Sequence, residues 1–239
     1  MQVKIESTDH EGRGIARHEG KVVFVRDTLP GEVVDIEIVK RNKNYDQGVA
    51  KKLLRGAATR TIPACVNFAR CGGCSLQHAD ADAQVAFKQR VMEDNLRHIG
   101  NVSPSTILPA VRGSPWGYRH RARLSVRYVA KKGGVLVGFH ERHSRYITEM
   151  FGCEILPPRI SALIPRLRTL IGLLSVRDAL PQIEITLSEA ADILVLRLLK
   201  SLTGADKDLL KVFADEYRIR LYLQEDGPDS AKLFYPDAP

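Results

Sequence analysis

The chain has 239 residues, with 36 Lys and Arg against 28 Asp and Glu, and a formal net charge of +8. Hydrophobic residues make up 44% and charged residues 27%, a composition that excludes a disordered chain, a collagen and a coiled coil. No stretch approaches the ~20 apolar residues that cross a bilayer, and charges occupy the place of a signal-peptide core. The sequence predicts a soluble cytosolic protein of one large domain or two modest ones.

The first 54 residues have the pattern of a small all-β unit. Short strands are predicted over 21–25, 33–39 and 48–54, with a turn at 29–32. Such strands fit a five-stranded oligonucleotide-binding-type barrel, although an unspecialised small barrel fits equally well. The loop between the last two strands offers RNA contacts from three basic side chains and one aromatic ring, namely Lys40, Arg41, Lys43 and Tyr45.

Three of the four cysteines lie close together with the spacing C-x5-C-x2-C. These are Cys65, Cys71 and Cys74, and Cys153 follows 79 positions later. In a reducing compartment such cysteines are more often metal ligands than disulfide partners. A [4Fe–4S] cluster tolerates three clustered ligands and a remote one, a four-thiolate zinc site is also compatible, and unconnected buried thiols are a third reading. His78 is an alternative ligand, although a surface or hydrogen-bonded role suits it better.

The excess positive charge is concentrated between residues 101 and 150, which hold nine basic and two acidic side chains. Residues 118–128 alternate with period two, which predicts a strand with an arginine face, and a hairpin turn leads to a second strand over 135–140. Arginines spaced ~7 Å apart repel one another, and phosphate groups would relieve that repulsion. The alternative is a merely solvated strand face. The hairpin residues expected to contact RNA are Arg119, Arg121, Arg123, Arg127, Lys131 and Lys132.

The rest of the chain has an α+β pattern. Helices are predicted over 84–99, 159–174 and 206–217, and strands within 183–199 and over 219–224. Two domains are expected, one over 1–56 and one over 57–239.

Read together, these residues resemble the N-terminal part of the bacterial RNA uracil-C5-methyltransferases of the 23S ribosomal RNA branch. The segments that carry the resemblance are Asp-His-Glu-Gly-Arg-Gly at 9–14, Gly-Lys-Val-Val-Phe-Val at 20–25, Leu-Pro-Gly-Glu at 29–32, the cysteine run at 65–78 and Tyr-Arg-x-Arg-x-Arg-Leu at 118–124. The resemblance implies an RNA-binding TRAM barrel followed by a domain with a [4Fe–4S] cluster on Cys65, Cys71, Cys74 and Cys153. It favours iron–sulfur over zinc, and it implies 23S ribosomal RNA as the partner.

Members of that family use S-adenosylmethionine and a cysteine nucleophile, both held in a Rossmann-like domain. This sequence shows no Gly-rich strand-to-helix turn after residue 152 and no fifth cysteine. The expected fold class is therefore an N-terminal all-β OB-like barrel (TRAM) followed by an α+β central domain with a [4Fe–4S] site, the Rossmann-like methyltransferase domain being absent.

On that expectation S-adenosylmethionine binds only in a missing C-terminal domain, and no residue of this chain is catalytic. The chain would be a monomer without membrane contact, and inactive alone. The alternative is a stand-alone RNA-binding accessory protein with a structural four-cysteine zinc or iron–sulfur site.

Overall fold

The computed structural model describes residues 1–188 and 191–236, apart from the side chains of Lys132 and Pro228. The chain divides into two compact units. The first consists of Met1–Phe68 and Cys74–Arg112, and the second of Ala69–Gly73 and Gly113–Pro239. The expected domain boundary at 56/57 stays a prediction, and the last residues of the 57–239 range lie outside the described part.

The first unit contains a six-stranded mixed sheet and one long helix. Its strands run in the order β1-β5-β6-β4-β3-β2, and β4 and β6 pair in parallel. Alternate residues such as Val23, Val25, Val34 and Ile36 form the core. The elements are β1 (Gln2–Lys4), β2 (Ser7–Thr8), β3 (Gly14–His18), β4 (Lys21–Arg26), β5 (Val33–Arg41), β6 (Tyr45–Arg55) and α1 (Ala81–His98).

The predicted strands and the turn at 29–32 are confirmed, and the last strand begins at Tyr45 rather than Gly48. Gly31 has a φ of 86°, which favours glycine, and the Glu32 N–H donates to the carbonyl of Leu29 at 3.2 Å. The turn leads into β5, which pairs with one edge of β6 and leaves the other edge for β4. This pairing produces a mixed six-stranded sheet where a five-stranded barrel is expected.

The second unit contains another six-stranded mixed sheet, in the order β12-β11-β10-β9-β7-β8. Helix α3 packs against β8 and α4 against β11. The elements are β7 (Arg121–Val129), β8 (Gly134–Gly138), α2 (Pro158–Ser161), α3 (Leu163–Leu173), β9 (Gln182–Leu187), β10 (Asp192–Arg197), α4 (Gly204–Tyr217), β11 (Ile219–Gln224) and β12 (Lys232–Tyr235).

The helix predicted over 159–174 is divided into α2 and α3. Pro165 has no N–H to donate to the carbonyl four residues earlier, so a continuous helix would lack that hydrogen bond. The helix near 206 begins two residues earlier than predicted, at Gly204. Among the described residues, no helix is long and apolar enough to span a membrane.

The expected fold class needs correction, because both sheets are mixed. In the second unit, β10 and β11 are parallel neighbours joined through α4. A helix that links two parallel neighbouring strands is the connection from which Rossmann-like sheets are built. The sequence analysis missed this connection because it assigned the alternating helices and strands to an α+β layout.

Candidate nucleic-acid interface and cysteine ligands

Strand β7 presents arginines on one face and apolar side chains on the other, as its alternation predicts. Ala122, Leu124 and Val126 are at most 5% exposed and pack in the core. The outward positions of β7 are Arg121, Arg123, Ser125 and Arg127, of which the three arginines are exposed.

Two of the predicted arginines have surroundings that the sequence did not reveal. Arg119 precedes β7, where its Nε donates to the carbonyl of Arg121 at 3.2 Å and its guanidinium lies over the Phe139 ring at 5.6 Å. The strand register places Arg123 opposite Glu184 of β9, and the Arg123 Nη2 lies 2.8 Å from a Glu184 oxygen. Such an exposed pair is worth about 1 kcal/mol or less, so phosphate can compete for Arg123.

The turn after β7 is a short 3-10 segment, Ala130–Lys132. Gly133 and Gly134 follow with φ values of 76° and 153°, and β8 returns antiparallel to β7. The predicted hairpin is confirmed, and Lys131 is exposed at its end. The Lys132 side chain lies outside the described part of the chain.

The basic loop of the first unit is shorter than predicted. Lys40 and Arg41 end β5, Lys43 lies in the turn, and Tyr45 begins β6. All four side chains are exposed, and the Arg41 Nη1 lies 3.7 Å from an Asp46 oxygen. This end of the β5–β6 hairpin therefore presents three cations and one ring.

Sequence reasoning missed two further side chains beside Tyr45. The Phe24 ring meets the Tyr45 ring edge-on, with centroids 5.4 Å apart, and the Arg13 guanidinium lies 4.6 Å from the Phe24 centroid. The alternation of β4, in which Val23 and Val25 are buried, would have placed Phe24 on the outer face. The result is a cation–aromatic cluster of the kind on which unpaired bases stack.

The four cysteines are divided equally between the units. Cys65 and Cys74 belong to the first unit, and Cys71 and Cys153 to the second. Cys71 and Cys153 are each 7% exposed, and the other two are half-buried. Among residues 1–188 and 191–236, no group of three or more His, Cys, Asp and Glu side chains stands ready to hold a metal ion.

The backbone around Cys71 is tightly turned. The Gly73 N–H donates to the Cys71 sulfur at 3.4 Å, and the Gly72 N–H donates to the carbonyl of His140 at 2.9 Å. A Cβ at position 72 would lie 3.0 Å from that carbonyl oxygen, which explains a glycine there. An N–H directed at a cysteine sulfur is typical of iron–sulfur ligands, and four thiolates suit either [4Fe–4S] or zinc. The donor chemistry therefore fits a cluster.

His78 is buried, not on the surface. Its ring is 2% exposed and packs against Phe68, with the centroids 5.5 Å apart. Burial lowers the pKa of His78, and the nearby Arg60 charge lowers it further. A backbone hydrogen bond with Thr28 raises the pKa against these two effects, so a hydrogen-bonded role for His78 stays a prediction.

Comparison with known protein families identifies the domain formed by the first residues of the chain. Residues 1–51 match the family model described as the TRAM domain. The match covers the strands from β1 to most of β6 and the turns between them, and it includes Lys40, Arg41, Lys43 and Tyr45. The first unit thus contains a TRAM domain.

Comparison with curated relatives then shows which group of proteins the whole chain resembles. The chain is 58% identical over 238 residues to the 23S rRNA (uracil(1939)-C(5))-methyltransferase RlmD of Nitrosospira multiformis, covering 99% of this chain and 54% of that protein. It is 49% identical over 240 residues to the RlmD of Cupriavidus necator, covering 98% of this chain and 54% of the relative. The chain is a TRAM-domain homologue of these 23S ribosomal RNA uracil-C5-methyltransferases. It spans about half the length of the curated relatives it matches.

A solved structure shares the fold. The crystal structure of Pyrococcus abyssi tRNA (uracil-54, C5)-methyltransferase in complex with S-adenosyl-L-homocysteine matches with a TM-score of 0.64 and 18% identity. The match covers 97% of this chain and 54% of that one. The expected fold class, in which the Rossmann-like methyltransferase domain is absent, is therefore corrected: 97% of the chain shares its fold with 54% of a methyltransferase chain.

Proposed function

We propose that this chain supplies RNA recognition to an S-adenosylmethionine-dependent 23S ribosomal RNA uracil-C5-methyltransferase. The observation that carries the proposal is the 58% identity over 99% of the chain to a protein named for methylation of uracil 1939. S-adenosylmethionine is the proposed methyl donor of the whole enzyme, because the tRNA methyltransferase that shares the fold was solved with S-adenosyl-L-homocysteine, the product left when that donor has lost its methyl group. No residue of this chain is assigned to it.

The RNA contacts we propose are electrostatic in both units. In the second unit they come from Arg119, Arg121, Arg123, Arg127, Lys131 and Lys132, and in the first from Lys40, Arg41 and Lys43, with Tyr45 stacking on a base. Support comes from the TRAM match and from the exposure of these side chains, except that Arg119 is half-buried and the Lys132 side chain lies outside the described part. Arginine forks bind phosphate oxygens through two hydrogen bonds each.

The test is RNA affinity at several salt concentrations. Each phosphate contact contributes about 0.7 to the slope of log affinity against log salt for a single strand. Replacing Arg121 and Arg123 together by alanine should lower the slope by about 1.4 and weaken binding at low salt. The control removes two positive charges from exposed helix positions, with Arg166→Ala and Lys207→Ala. If the β7 variant and the control bind alike, the β7 face is not an RNA contact.

We also propose that Cys65, Cys71, Cys74 and Cys153 bind a [4Fe–4S] cluster. The support is the spacing of the cysteines, their thiolate chemistry and the Gly73 N–H directed at Cys71. Ligation by Cys153 would close a loop of about 80 residues at a cost of roughly 4 kcal/mol plus a constant. Metal–thiolate bonding supplies on the order of 10 kcal/mol in structural zinc peptides. This exceeds the cost of closing the loop, so the cluster can stabilise the fold. The cluster would staple the cysteine segment to the chain that follows the arginine hairpin.

Anaerobically purified protein should therefore be brown, with broad visible absorbance. Cys153→Ala should lower the iron content and the melting temperature together. The control is Ser161→Ala, which removes the hydroxyl that accepts the Cys153 N–H at 2.7 Å but keeps the thiol. A colourless, zinc-loaded wild type would refute the iron–sulfur assignment. Unchanged metal content in Cys153→Ala would show that Cys153 is not a ligand.

The 239-residue chain alone should not transfer a methyl group. Its four cysteines are all proposed as ligands, which leaves no thiol to add to uracil C6. Incubation with labelled S-adenosylmethionine and a ribosomal RNA fragment measures this directly, with a full-length relative as the positive control. Turnover by the chain alone would show that a catalytic site has been overlooked. We also propose that the chain is monomeric and cytoplasmic. Light scattering, which measures the molar mass in solution, tests whether it is a monomer.

A further inference from the structure

Among the described residues of the second unit, helices α3 and α4 contact the sheet, and the strand residues alternate between buried and partly or fully exposed positions. In β10 and β11 the alternate residues Leu194, Leu196 and Leu221 are at most 1% exposed. Because these buried residues share one face and α4 contacts β11, we infer that α4 packs on this face. The residues between them, Ile193, Val195, Arg197, Arg220 and Tyr222, are partly or fully exposed. We call the outward face of β7, β9, β10 and β11 the open face.

The strand register shows how side chains are arranged on the open face. One row runs across the four strands as Arg121, Thr186, Ile193 and Arg220. The next row is Arg123, Glu184, Val195 and Tyr222. Because neighbouring strands lie about 4.8 Å apart, each row is about 14 Å long. Ile193, Val195 and Tyr222 form a continuous apolar and aromatic strip across β10 and β11.

Arginines surround this strip. Arg220 follows Ile193 in its row, Arg197 lies two residues beyond Val195 on β10, and the β7 arginines stand at the other end. Across the outward positions of the four strands there are five arginines and a single glutamate, Glu184, which is paired with Arg123. The open face is thus positively charged at its margins, and the strip of Ile193, Val195 and Tyr222 between them is uncharged.

We propose that the open face binds unpaired RNA bases, with Tyr222 as the stacking ring and Arg197 and Arg220 as phosphate contacts. The inference rests on the proposed function and extends the RNA surface from β7 across the sheet. A strip that is apolar and aromatic suits the faces of bases, and its cationic margin suits the backbone that joins them. An open sheet with an aromatic residue on a central strand is a recurrent solution for single-stranded RNA. A duplex would conceal the base faces and gain nothing from the strip.

The experiment uses the whole chain and a fluorescein-labelled 12-nucleotide single-stranded RNA, with a 12-base-pair duplex as a second probe. Tyr222→Ala should weaken binding of the single strand by about 5-fold or more and leave the salt slope unchanged. Tyr222→Phe keeps the ring and should bind within about 2-fold of the wild type. Arg220→Ala should reduce the salt slope by about 0.7. Arg166→Ala, on helix α3, is the matched control and should change neither quantity.

The possible outcomes separate the two proposals. If Tyr222→Ala and Arg220→Ala bind as the wild type does while Arg121→Ala with Arg123→Ala binds weakly, the open face is refuted and the β7 contact stands. If all of these variants bind as the wild type does, the RNA contacts of this unit are refuted together. A changed association state in Tyr222→Ala, with unchanged RNA affinity, would make the face a protein interface and overturn the inference. Melting curves of Tyr222→Ala and Tyr222→Phe show whether a loss of RNA affinity comes from misfolding.

Discussion

Glu32 is the clearest case in which a single side chain determines the path of the backbone. Its carboxylate has no exposed surface and accepts hydrogen bonds from the N–H groups of Leu29 and Ala57 and from Arg60. Burial raises the pKa of Glu32, but the hydrogen bonds from Arg60 and the two N–H groups outweigh it, so the pKa lies below 4.5. The sequence predicts a turn here, but not a buried ion pair, because Arg60 is 28 residues away.

Replacing Glu32 by glutamine should destabilise the first unit by about 3 kcal/mol, because it leaves Arg60 without its anion. The measurement is hydrogen exchange of the β5 amides at pH 7. Glu37→Gln is the control, since Glu37 is exposed and paired with Lys51, so its loss should matter by less than about 1 kcal/mol. Equal effects of the two substitutions would show that Glu32 has no special role.

The same pair makes stability depend on pH. Because folding lowers the pKa of Glu32, its contribution is fully present above the unfolded pKa, about 4.5, and is lost as the pH falls through the folded pKa. The difference in stability between wild type and Glu32→Gln should therefore shrink as the pH falls from 5 toward 3. Urea midpoints at pH 7, 5, 4 and 3 measure it, and a difference independent of pH would contradict the ion-pair account.

At the scale of one element, α4 depends on a capping box at its first turn. The Thr203 hydroxyl accepts the Asp206 N–H at 3.2 Å, and the Asp206 carboxylate accepts the Thr203 N–H at 2.9 Å. The carboxylate also accepts from the N–H and hydroxyl of Ser175, at 2.7 and 2.6 Å. Burial raises the pKa of Asp206, but these hydrogen bonds bring it down to about 2. Asp206 thus joins the start of α4 to the segment that follows α3.

Asp206→Ala should destabilise the second unit by about 2 kcal/mol at pH 7, because it removes a cap and leaves donors unsatisfied. The contribution is present above the unfolded pKa of about 3.8 and disappears as the pH falls toward 2, so the two proteins should converge in acid. Thermal melts followed by circular dichroism measure the effect. Asp208→Ala, at an exposed position in the same turn of the helix, should change little, and an equal loss there would argue against the cap.

The elements that the sequence predicted well are those with a local signal. Strand β7 alternates in every position from Arg121 to Arg127, and its outward arginines follow from that period alone. The features that the sequence did not predict depend on residues far apart in the chain or on whether neighbouring strands pair in parallel. The Glu184 opposite Arg123 comes from a strand 61 residues away, and the parallel pairing of β10 with β11 has no signature in either strand. Tyr222 lay in a correctly predicted strand, yet its place on the open face needed the register.

At the scale of the molecule, the chain passes from one compact unit to the other three times, after Phe68, after Gly73 and after Arg112. Residues 101–120 contain no helix or strand, and side chains such as Leu108 and Val111 are 79% and 102% exposed. This segment is an exposed connection. By contrast, Ala69–Gly73 is held inside the second unit, where the Arg142 N–H donates to the carbonyl of Arg70 at 2.9 Å.

Limited trypsin digestion should therefore cut first after Arg112, because a protease needs extended, exposed backbone. The two fragments should still elute together in native gel filtration, since residues 69–73 of the first fragment belong to the second unit. They should separate only in denaturant. The variant Arg112→Gln should resist this cut. Fragments that separate without denaturant would contradict the assignment of 69–73.

The placement of Ala69–Gly73 also sets an order in time during biosynthesis. These five residues are made about 70 positions before His140 and Arg142, with which they form hydrogen bonds. At about 5–20 residues per second, the ribosome takes about 4–14 s to supply those partners. During that interval the segment that contains Cys71 lacks these hydrogen-bond partners, and Cys153 is synthesised later still. Any cofactor that needs both sulfurs can be inserted only after the whole β7–β8 hairpin has been synthesised, because Cys153 follows it in the chain.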